Sequence, residues 1–444
     1  MNRFLFIFTC FCMSLANGGA QEVLTLKQCL QWGIEHNRPL QSQRNEMQKS
    51  KYAVSENRAK LLPMLSGFAN FNDNMDPPVS VTDGSAYGTP YNVTHTLQYS
   101  ANAGIRLQMP LYNQTVYTAI AISRLMDEMN RVSYEKARED LILQICKLYY
   151  LGQTTAEQVA LIKSNIARLE ELRDITVAFF DNDMALEVDV KRVNINLENL
   201  QVQHDNVKAM LAQQLNMLKY VIDYPAEQDI VLTSVDTDTI TPVGLTGLSD
   251  NLYELQLLSS QEKLAKRQKQ MVGHGYIPSL SLTGSRAYSA YTDKARHWFH
   301  SGPSNHWYRS YGLGLSLHVP IFDGLDKRYK KRKAEIDIEN IRLTKEDTHK
   351  NLQTQYVNAV NDMMNNRRNF TKQKDNYRLA ESVYEVTTER YREGVASMTE
   401  VLQDEMQMSE AQNSYISAHY NYRITNLTLL KLTGQIESLI QQKP

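Results

Sequence analysis

The chain repeats its own pattern at a spacing of about 210 residues. Segment 104–112 alternates apolar with small or polar side chains around a late proline, and it recurs as segment 314–322. Segment 180–190 recurs in the same way as segment 391–401. This period is far longer than the 20 to 50 residues of solenoid repeats. The sequence therefore predicts a fold with an internal two-fold repeat of one large supersecondary unit.

Proline and glycine are nearly absent from two long stretches, residues 111–224 and 321–443. Proline breaks helix interiors and glycine weakens them. Each stretch is therefore predicted to form a long helix, a bend and a long returning helix. Asn113 and Asp323 stand where N-caps belong, because a short side chain there accepts hydrogen bonds from the first free amides. A helix over residues 323–392 would be roughly 100 Å long.

The bends are predicted near residues 181–185 and 394–397, and each returning arm carries a stripe of side chains spaced three and four residues apart. This 3.5-residue period keeps one stripe facing a partner helix and predicts coiled-coil packing. The stripe alone indicates packing rather than a specific function. Its members are Val190, Val193, Leu197, Leu200, His204, Val207, Leu211, Gln214, Leu218 and Val221 in the first copy, and Met408, Ala411, Tyr415, Ala418, Tyr422, Thr425, Leu429 and Leu432 in the second.

Short alternating segments, residues 101–111 and 311–321, are predicted to be strands, each with an upstream partner at 65–71 or 280–290. A period of two over about ten residues is typical of a tilted strand between lipid and a wet lumen. A half-buried strand of a soluble protein gives the same alternation. The connections before the alternating segments are polar and are predicted to be loops.

The N-terminal residues 1–20 have the pattern of a secretory signal, with an apolar run and small residues up to Ala20. After residue 20 no apolar stretch reaches the roughly 18 to 20 residues of a membrane helix. For an exported chain, these two features favour the membrane interpretation of the strands. Cys29 and Cys146 are the cysteines left in the mature chain, and a net charge of -1 argues against a nucleic-acid partner.

Four strands cannot close a membrane sheet by themselves, and open edges are not tolerated in hydrocarbon. Three chains would supply twelve strands, whereas eight strands from two chains leave an interior filled by side chains. The predicted organisation is a signal peptide (1–20), a first repeat (21–222), a linker (223–250), a second repeat (251–434) and a C-terminal tail (435–444). The fold class is mainly α with membrane β.

Three motifs resemble the TolC-like outer-membrane efflux family. They are Val319-Pro320-Ile321-Phe322-Asp323-Gly324, segment 391–402 at the second bend, and Leu432-Thr433-Gly434. The resemblance covers residues 24–434. It implies a homotrimer with a twelve-stranded β-barrel in the outer membrane and a long α-helical barrel in the periplasm. It further implies the exit duct of an efflux pump or type I secretion system, with a periplasmic adaptor (membrane fusion) protein and an inner-membrane transporter as partners.

The resemblance also implies a constriction at the periplasmic bends. Tyr391 matches the family's tip tyrosine and Glu400 the first acid of its ring. The chain departs from the family at Ala396, where some members carry an arginine, and at Gln403, where a second acid would fall. The acids beside these positions complete the candidate gate, which comprises Tyr391, Glu400, Gln403, Asp404, Asp181 and Asp183. An alternative is that these polar residues are solvated helix ends.

Two further patterns leave alternatives open. His297, His300 and His306, with His318 nearby, could bind a metal but lack a Cys or a paired acid, so a surface role is favoured. The basic run 327–333 could contact anionic head groups or form a solvated helix face. No phosphate loop, nucleophile elbow or metalloprotease motif is present, so neither an enzyme nor a cofactor is expected. The rival class is a secreted coiled-coil scaffold or adhesin without a pore.

Overall fold

The computed structural model describes residues 22–77, 79–95, 97–233, 247–294 and 307–441. The signal segment 1–20 and the loop residues His297, His300 and His306 lie outside these ranges. The helices are α1 (Leu26–His36), α2 (Arg38–Ala59), α3 (Gln114–Asp181), α4 (Glu187–Ile222), α5 (Tyr253–His274), α6 (Asp326–Arg392), α7 (Met398–Leu432) and α8 (Ser438–Gln441). The strands are β1 (Glu22–Leu24), β2 (Met64–Asp73), β3 (Val79–Asp83), β4 (Tyr91–His95), β5 (Tyr99–Tyr112), β6 (Ile230–Leu232), β7 (Ser279–Thr292) and β8 (Trp307–His318).

The chain divides into two compact units. The sheet unit comprises Met47–Asn130 and the described parts of Leu258–Leu343. The coil unit comprises the described parts of Met1–Glu46, Arg131–Leu257 and Thr344–Pro444. Each unit draws on both halves of the sequence repeat.

The sheet unit is organised around an antiparallel sheet with the strand order β2-β5-β7-β8. The two repeats meet between β5 and β7, where Ile105 lies opposite Arg286. The four predicted strands are therefore confirmed. Within the described residues, β2 and β8 each pair with one strand of this sheet, so a single chain leaves the sheet open. Every residue of β8 is exposed, including Leu313, Leu315 and Leu317 on its apolar side.

Two details differ from the sequence prediction. β8 ends at His318, so Val319 and Ile321 lie outside the strand; Pro320 follows at once, and proline has no N–H to donate to a ladder. The segment predicted to be a polar loop at 72–96 also contains a hairpin, β3 paired with β4, with Val81 opposite Val93. The alternation of Val79 and Val81 with Ser80 and Thr82 is typical of a short strand, but the prolines of this segment favoured the loop interpretation.

The helix α3 begins at its predicted cap, whereas α6 begins three residues after Asp323, because Gly324 (φ 66) and Leu325 (φ 68) have left-handed backbone conformations. Asn113 Oδ1 accepts hydrogen bonds from Thr115 N at 3.1 Å and from Val116 N at 3.4 Å. Asp323 Oδ1 accepts from Leu325 N at 3.2 Å, and α6 starts at Asp326. No helix in the described part of the chain combines the length and apolarity that a membrane crossing requires.

The coil unit buries its apolar side chains along the predicted coiled-coil stripes. On α4, Val193 and Leu197 are buried, and on α7, Val401 and Met408 are fully buried in the same cluster. A second cluster surrounds Cys29 and Cys146, which are both unpaired. Burial raises the pKa of each thiol to about 12, so both stay uncharged at neutral pH.

Candidate functional site at the helix turns

Two turns, both in the coil unit, reverse the long helices: turn A (182–186) joins α3 to α4, and turn B (393–397) joins α6 to α7. Their backbones follow one pattern at an offset of 211 residues. In turn A, Met184 N donates to Phe179 O at 2.8 Å; in turn B, Val395 N donates to Arg390 O at 2.8 Å. Such bonds satisfy the last free carbonyls of a helix and require a left-handed residue after it. That residue is Asp183 (φ 57) in turn A and Gly394 (φ 75) in turn B.

Turn B is closed by a capping box at the start of α7. Ser397 Oγ accepts from Glu400 N at 3.3 Å, and Glu400 Oε2 accepts from Ser397 N at 3.0 Å. Two free amides are thereby satisfied reciprocally. Glu400, the residue expected in an acidic ring, thus has a structural contact while its side chain remains exposed. In turn A the N-cap is Leu186, which makes no side-chain cap bond.

Tyr391, in the last turn of α6, is only 6% exposed. Its hydroxyl donates to Thr176 Oγ1 on α3 at 3.4 Å, and its ring centroid lies 5.6 Å from that of Phe179. Burial raises the pKa of the phenol, so it is neutral at physiological pH. Tyr391 therefore anchors the end of α6 against α3.

Two arginines link the helices that lead into and out of the turns. Arg192 on α4 donates to Thr399 Oγ1 on α7 at 3.3 Å and pairs with Asp189 at 3.2 Å. Arg392 on α6 pairs with Glu171 on α3 at 2.5 Å. These contacts hold the two helical hairpins together near their ends.

The remaining predicted gate residues are spread over the two turns. Asp181 ends α3 and Asp183 occupies the left-handed position of turn A, and both are exposed. Gln403 and Asp404 follow on the first turns of α7, the former exposed and the latter half-buried. The arginine pairs of this region go to Asp189 and Glu171 instead. The acids at 181, 183, 400 and 404 thus lie in or next to the two turns, and the structure gives no hydrogen bond or ion pair that joins them to one another.

Glu405 is a residue of this region that the sequence prediction missed. It is 5% exposed, and its Oε1 atom has no hydrogen-bond partner among the described residues. Burial raises the pKa of its carboxyl. The signal was present, because Glu405 continues the α7 stripe three residues before Met408, a position that faces a partner helix.

Glu405 also borders a cavity of about 690 Å³ within the coil unit. Carboxamide and hydroxyl side chains of α4, α6 and α7 dominate its lining, among them Asn199, Asn369 and Asn413. Two glutamates, Glu405 and Glu410, lie among these neutral polar side chains.

Polar layers interrupt the apolar packing between α3 and α7. Gln412 and Asn165 exchange hydrogen bonds of 2.7 and 3.3 Å through their buried amides. Farther along, Arg423 Nε donates to His419 Nε2 at 3.0 Å, and Arg423 Nη1 donates to Gln153 Oε1 at 2.9 Å. Buried hydrogen-bonded groups at helix interfaces fix the register of a coiled coil.

No cluster of three His, Cys, Asp or Glu side chains suited to a metal ion occurs among the residues that the structure describes. His318 is the one member of the histidine group within that range, and it is exposed at the end of β8.

The arrangement of long helical hairpins and a four-stranded sheet has counterparts among known proteins. Residues 250–435 match the family model described as Outer membrane efflux protein. The probable efflux pump outer membrane protein TtgC of Pseudomonas putida is 22% identical over 429 residues, covering 92% of this chain and 82% of that protein. The outer membrane protein TolC of Escherichia coli is 19% identical over 393 residues, covering 86% and 76%.

Solved structures of outer-membrane channels share the fold. A CusC structure gives a TM-score of 0.74 at 14% identity, covering 95% of both chains. The open-state MtrE channel of Neisseria gonorrhoeae gives 0.71 at 18% identity, covering 92% of this chain and 88% of that one.

These comparisons show that the chain has the fold of the outer-membrane channel proteins. Residues 250–435 thus resemble the outer-membrane efflux proteins, and the similarity to TtgC and TolC extends over most of the chain. The resemblance drawn from the motifs is confirmed, and the matching family model and these relatives are described as outer-membrane proteins.

Proposed function

We propose that three copies of this chain form a passive, gated exit duct, which carries substrates from the periplasm or an inner-membrane transporter to the exterior. The observation that carries the proposal is the open sheet, in which β2 and β8 each pair with one strand among the described residues, and every residue of β8 is exposed. Hydrocarbon does not tolerate unpaired strand edges. Pairing β8 of one copy with β2 of the next satisfies both edges, and three copies close a twelve-stranded barrel wide enough for a passage.

Two helices carry exposed apolar stripes that support the same assembly. On α4, Val188, Ile195 and Val202 are spaced seven residues apart and are 44%, 61% and 60% exposed. On α6, Val357 and Met364 have the same spacing and are 49% and 50% exposed. A heptad stripe buries itself against another helix. Different faces on the two helices suit a head-to-tail interface, the kind that closes into a ring.

The gate of the duct is proposed to lie at turns A and B. With three-fold symmetry, the exposed Glu400 side chains would form an acidic ring that attracts cations. Asp181, Asp183 and Asp404 would add negative charge at a similar level. Tyr391, bound to Thr176 at 3.4 Å, would hold the hairpin ends closed until they shift.

The duct is proposed to work with a periplasmic adaptor protein and an inner-membrane transporter, which supplies the energy. Efflux and type I secretion use the same kind of conduit in this family, and the transporter selects the cargo. The rival class, a coiled-coil scaffold without a lumen, accounts for the heptads but leaves the sheet edges and the apolar face of β8 without a function.

The test is the ion selectivity of the purified protein in planar bilayers. We expect trimers that form low-conductance, cation-preferring pores. Glu400→Gln removes the charge but keeps a side chain that the capping box accepts. We therefore expect the folded trimer to persist and the cation-over-anion permeability ratio to fall at least about twofold.

The matched control is Glu385→Gln, which neutralises an exposed acid on α6 outside the turns. Its selectivity should equal that of the wild type. A monomer without pore activity in well-folded preparations would contradict the duct. An unchanged permeability ratio in Glu400→Gln would remove Glu400 from the constriction and leave the duct standing.

A further inference from the structure

We propose that the first two turns of α6, with the segment before them, form a binding surface for anionic phospholipid in the membrane leaflet next to the helices. The inference rests on the proposed membrane duct. The surface, here named the cationic collar, comprises Arg328, Lys331, Arg332 and Lys333.

The collar follows an exposed apolar segment directly. Between the end of β8 and the start of α6, Ile321 is 95% exposed and Phe322 is 81% exposed. Exposure of apolar side chains to water is unfavourable in free energy, and such side chains are suited to the acyl region of a bilayer. The sequence thus passes from a strand with an apolar face, through an exposed apolar wedge, into a cationic helix start.

The spacing matches the depth of a head-group layer. From Asp326 to Lys333 a helix rises about 10 Å. The polar region of one leaflet is roughly 5 to 8 Å thick, because a bilayer of 40 to 45 Å has a hydrocarbon core of about 30 Å. Cations on these two turns would therefore lie at and just beyond the phosphates when the wedge contacts the acyl chains.

The acidic residues next to the collar form ion pairs with lysines outside it. The collar cations are therefore left to bind lipid. Lys327 pairs with Asp323 at 3.1 Å and lies 4.9 Å from the centre of the Tyr276 ring. Lys330 pairs with Asp326 at 2.7 Å. Both of these cations are thus engaged within the sheet unit.

The adjoining helix α5 supplies the partner of the next acid. Lys269 pairs with Glu335 at 3.0 Å and is the main reason why the pKa of that carboxyl is lowered, with weaker attraction from Lys331 and Arg332. The four collar side chains are exposed, and no ion pair with another described residue occupies them. A basic cluster beside a membrane attracts anionic lipid, with each residue contributing independently.

The experiment measures which lipid the intact trimer retains. Trimers purified in mild detergent are incubated with equal amounts of phosphatidylglycerol and phosphatidylcholine of the same acyl chains, and bound lipids are counted by native mass spectrometry. We expect the wild type to prefer phosphatidylglycerol and the variant Arg328→Gln/Lys331→Gln/Lys333→Gln to lose at least about tenfold of that preference. Raising the salt to about 0.5 M should weaken the wild-type preference.

The matched control lies on the same helix, in the coil unit. Arg367→Gln/Arg368→Gln/Lys372→Gln also removes three exposed cations, and it should keep the wild-type lipid preference. An equal loss in both variants, or none in the collar variant, would overturn the inference. So would dissociation of the collar variant into monomers, because the cations would then pair with a second copy. A conducting trimer without lipid preference defeats the collar alone, whereas a non-conducting monomer defeats the duct.

Discussion

Turns A and B have one backbone geometry and two different means of support. At the position with positive φ, turn A has Asp183 and turn B has Gly394. At the N-cap, turn A has Leu186 without a cap bond, and turn B has Ser397 in a capping box. Glycine adopts the left-handed conformation without the strain that a side chain brings. Turn B is therefore specified by its own residues, whereas turn A depends on the surrounding helices.

The aromatic residues at the C-terminal ends of α3 and α6 also differ, in how deeply they are buried. Phe180, the counterpart of Tyr391, is 41% exposed, and Tyr391 is 6% exposed. Turn B, whose own residues favour its conformation, is therefore also the turn with the more deeply buried aromatic ring. The difference indicates that the duplicated hairpins have diverged, one into a firmly held end and the other into a more adaptable one. In the proposed gate, turn B would stay in place and turn A would move.

The largest expected effect comes from removing the Tyr391 side chain, which anchors the end of α6 against α3. Tyr391→Ala should lower the free energy of unfolding by about 3 to 5 kcal/mol, because it empties a buried aromatic site and removes the hydrogen bond from Tyr391 to Thr176. Phe180→Ala, the matched change in turn A, should cost much less, since its ring is partly in solvent. Urea denaturation of the detergent-solubilised protein, followed by helical circular dichroism, measures both. Equal losses would show that the two ends are anchored alike.

Much of this architecture could be predicted because its signals are local and repeated. The alternation around Ile105 and Leu315 marked two strands, Asn113 marked the start of α3, and Asp323 marked the start of α6 to within three residues. Gly394 marked turn B through its rarity in a helical stretch. These features depend on periodicity and backbone chemistry, which a single sequence displays. The same offset of 211 residues then located turn A.

Other features depend on tertiary context and could not be predicted in the same way. Charge usually places a glutamate in solvent, so the burial of Glu405 was hidden although its position follows the stripe. The pattern Ser397-x-x-Glu400 is a readable capping box, yet the family resemblance directed attention to Glu400 as a ring acid. The contacts Arg192 to Thr399 and Arg392 to Glu171 join residues more than 200 positions apart, which no local pattern reports.

A smaller effect is expected from exchanging the residues at positive φ. Gly394→Ala should destabilise the protein by about 1 to 2 kcal/mol, because a Cβ is strained at φ 75. The space around Gly394 is open, so a clash with neighbours does not contribute. Asp183→Gly should instead stabilise turn A, by no more than about 1 kcal/mol. The same denaturation assay applies, and a loss of stability in Asp183→Gly would show that the Asp183 side chain supports turn A.

The smallest expected effect is a pH dependence of the folding stability that arises near turn B and has no counterpart near turn A. Glu405 is buried beyond turn B, whereas its counterpart at the same offset, Asn194, is exposed and does not titrate. Burial raises the pKa of Glu405 above its ordinary value of 4.5, so the folded state holds this proton more tightly than the unfolded state. The stability associated with that proton is complete below pH 4.5 and is lost as the pH rises through the raised pKa.

Glu405→Gln removes the titration and keeps the size and polarity of the side chain. As the pH rises above 4.5 and through the raised pKa of Glu405, the wild type should lose stability relative to this variant. The apparent melting temperature measured against pH tests the difference, and Glu410→Gln, which changes another acid beside the same cavity, is the control. Parallel pH profiles for the wild type and Glu405→Gln would mean that the carboxyl is solvated. In that case the N-terminal part of α7 would be as open to water as turn A. The contrast between the two hairpins would then be confined to the turns themselves.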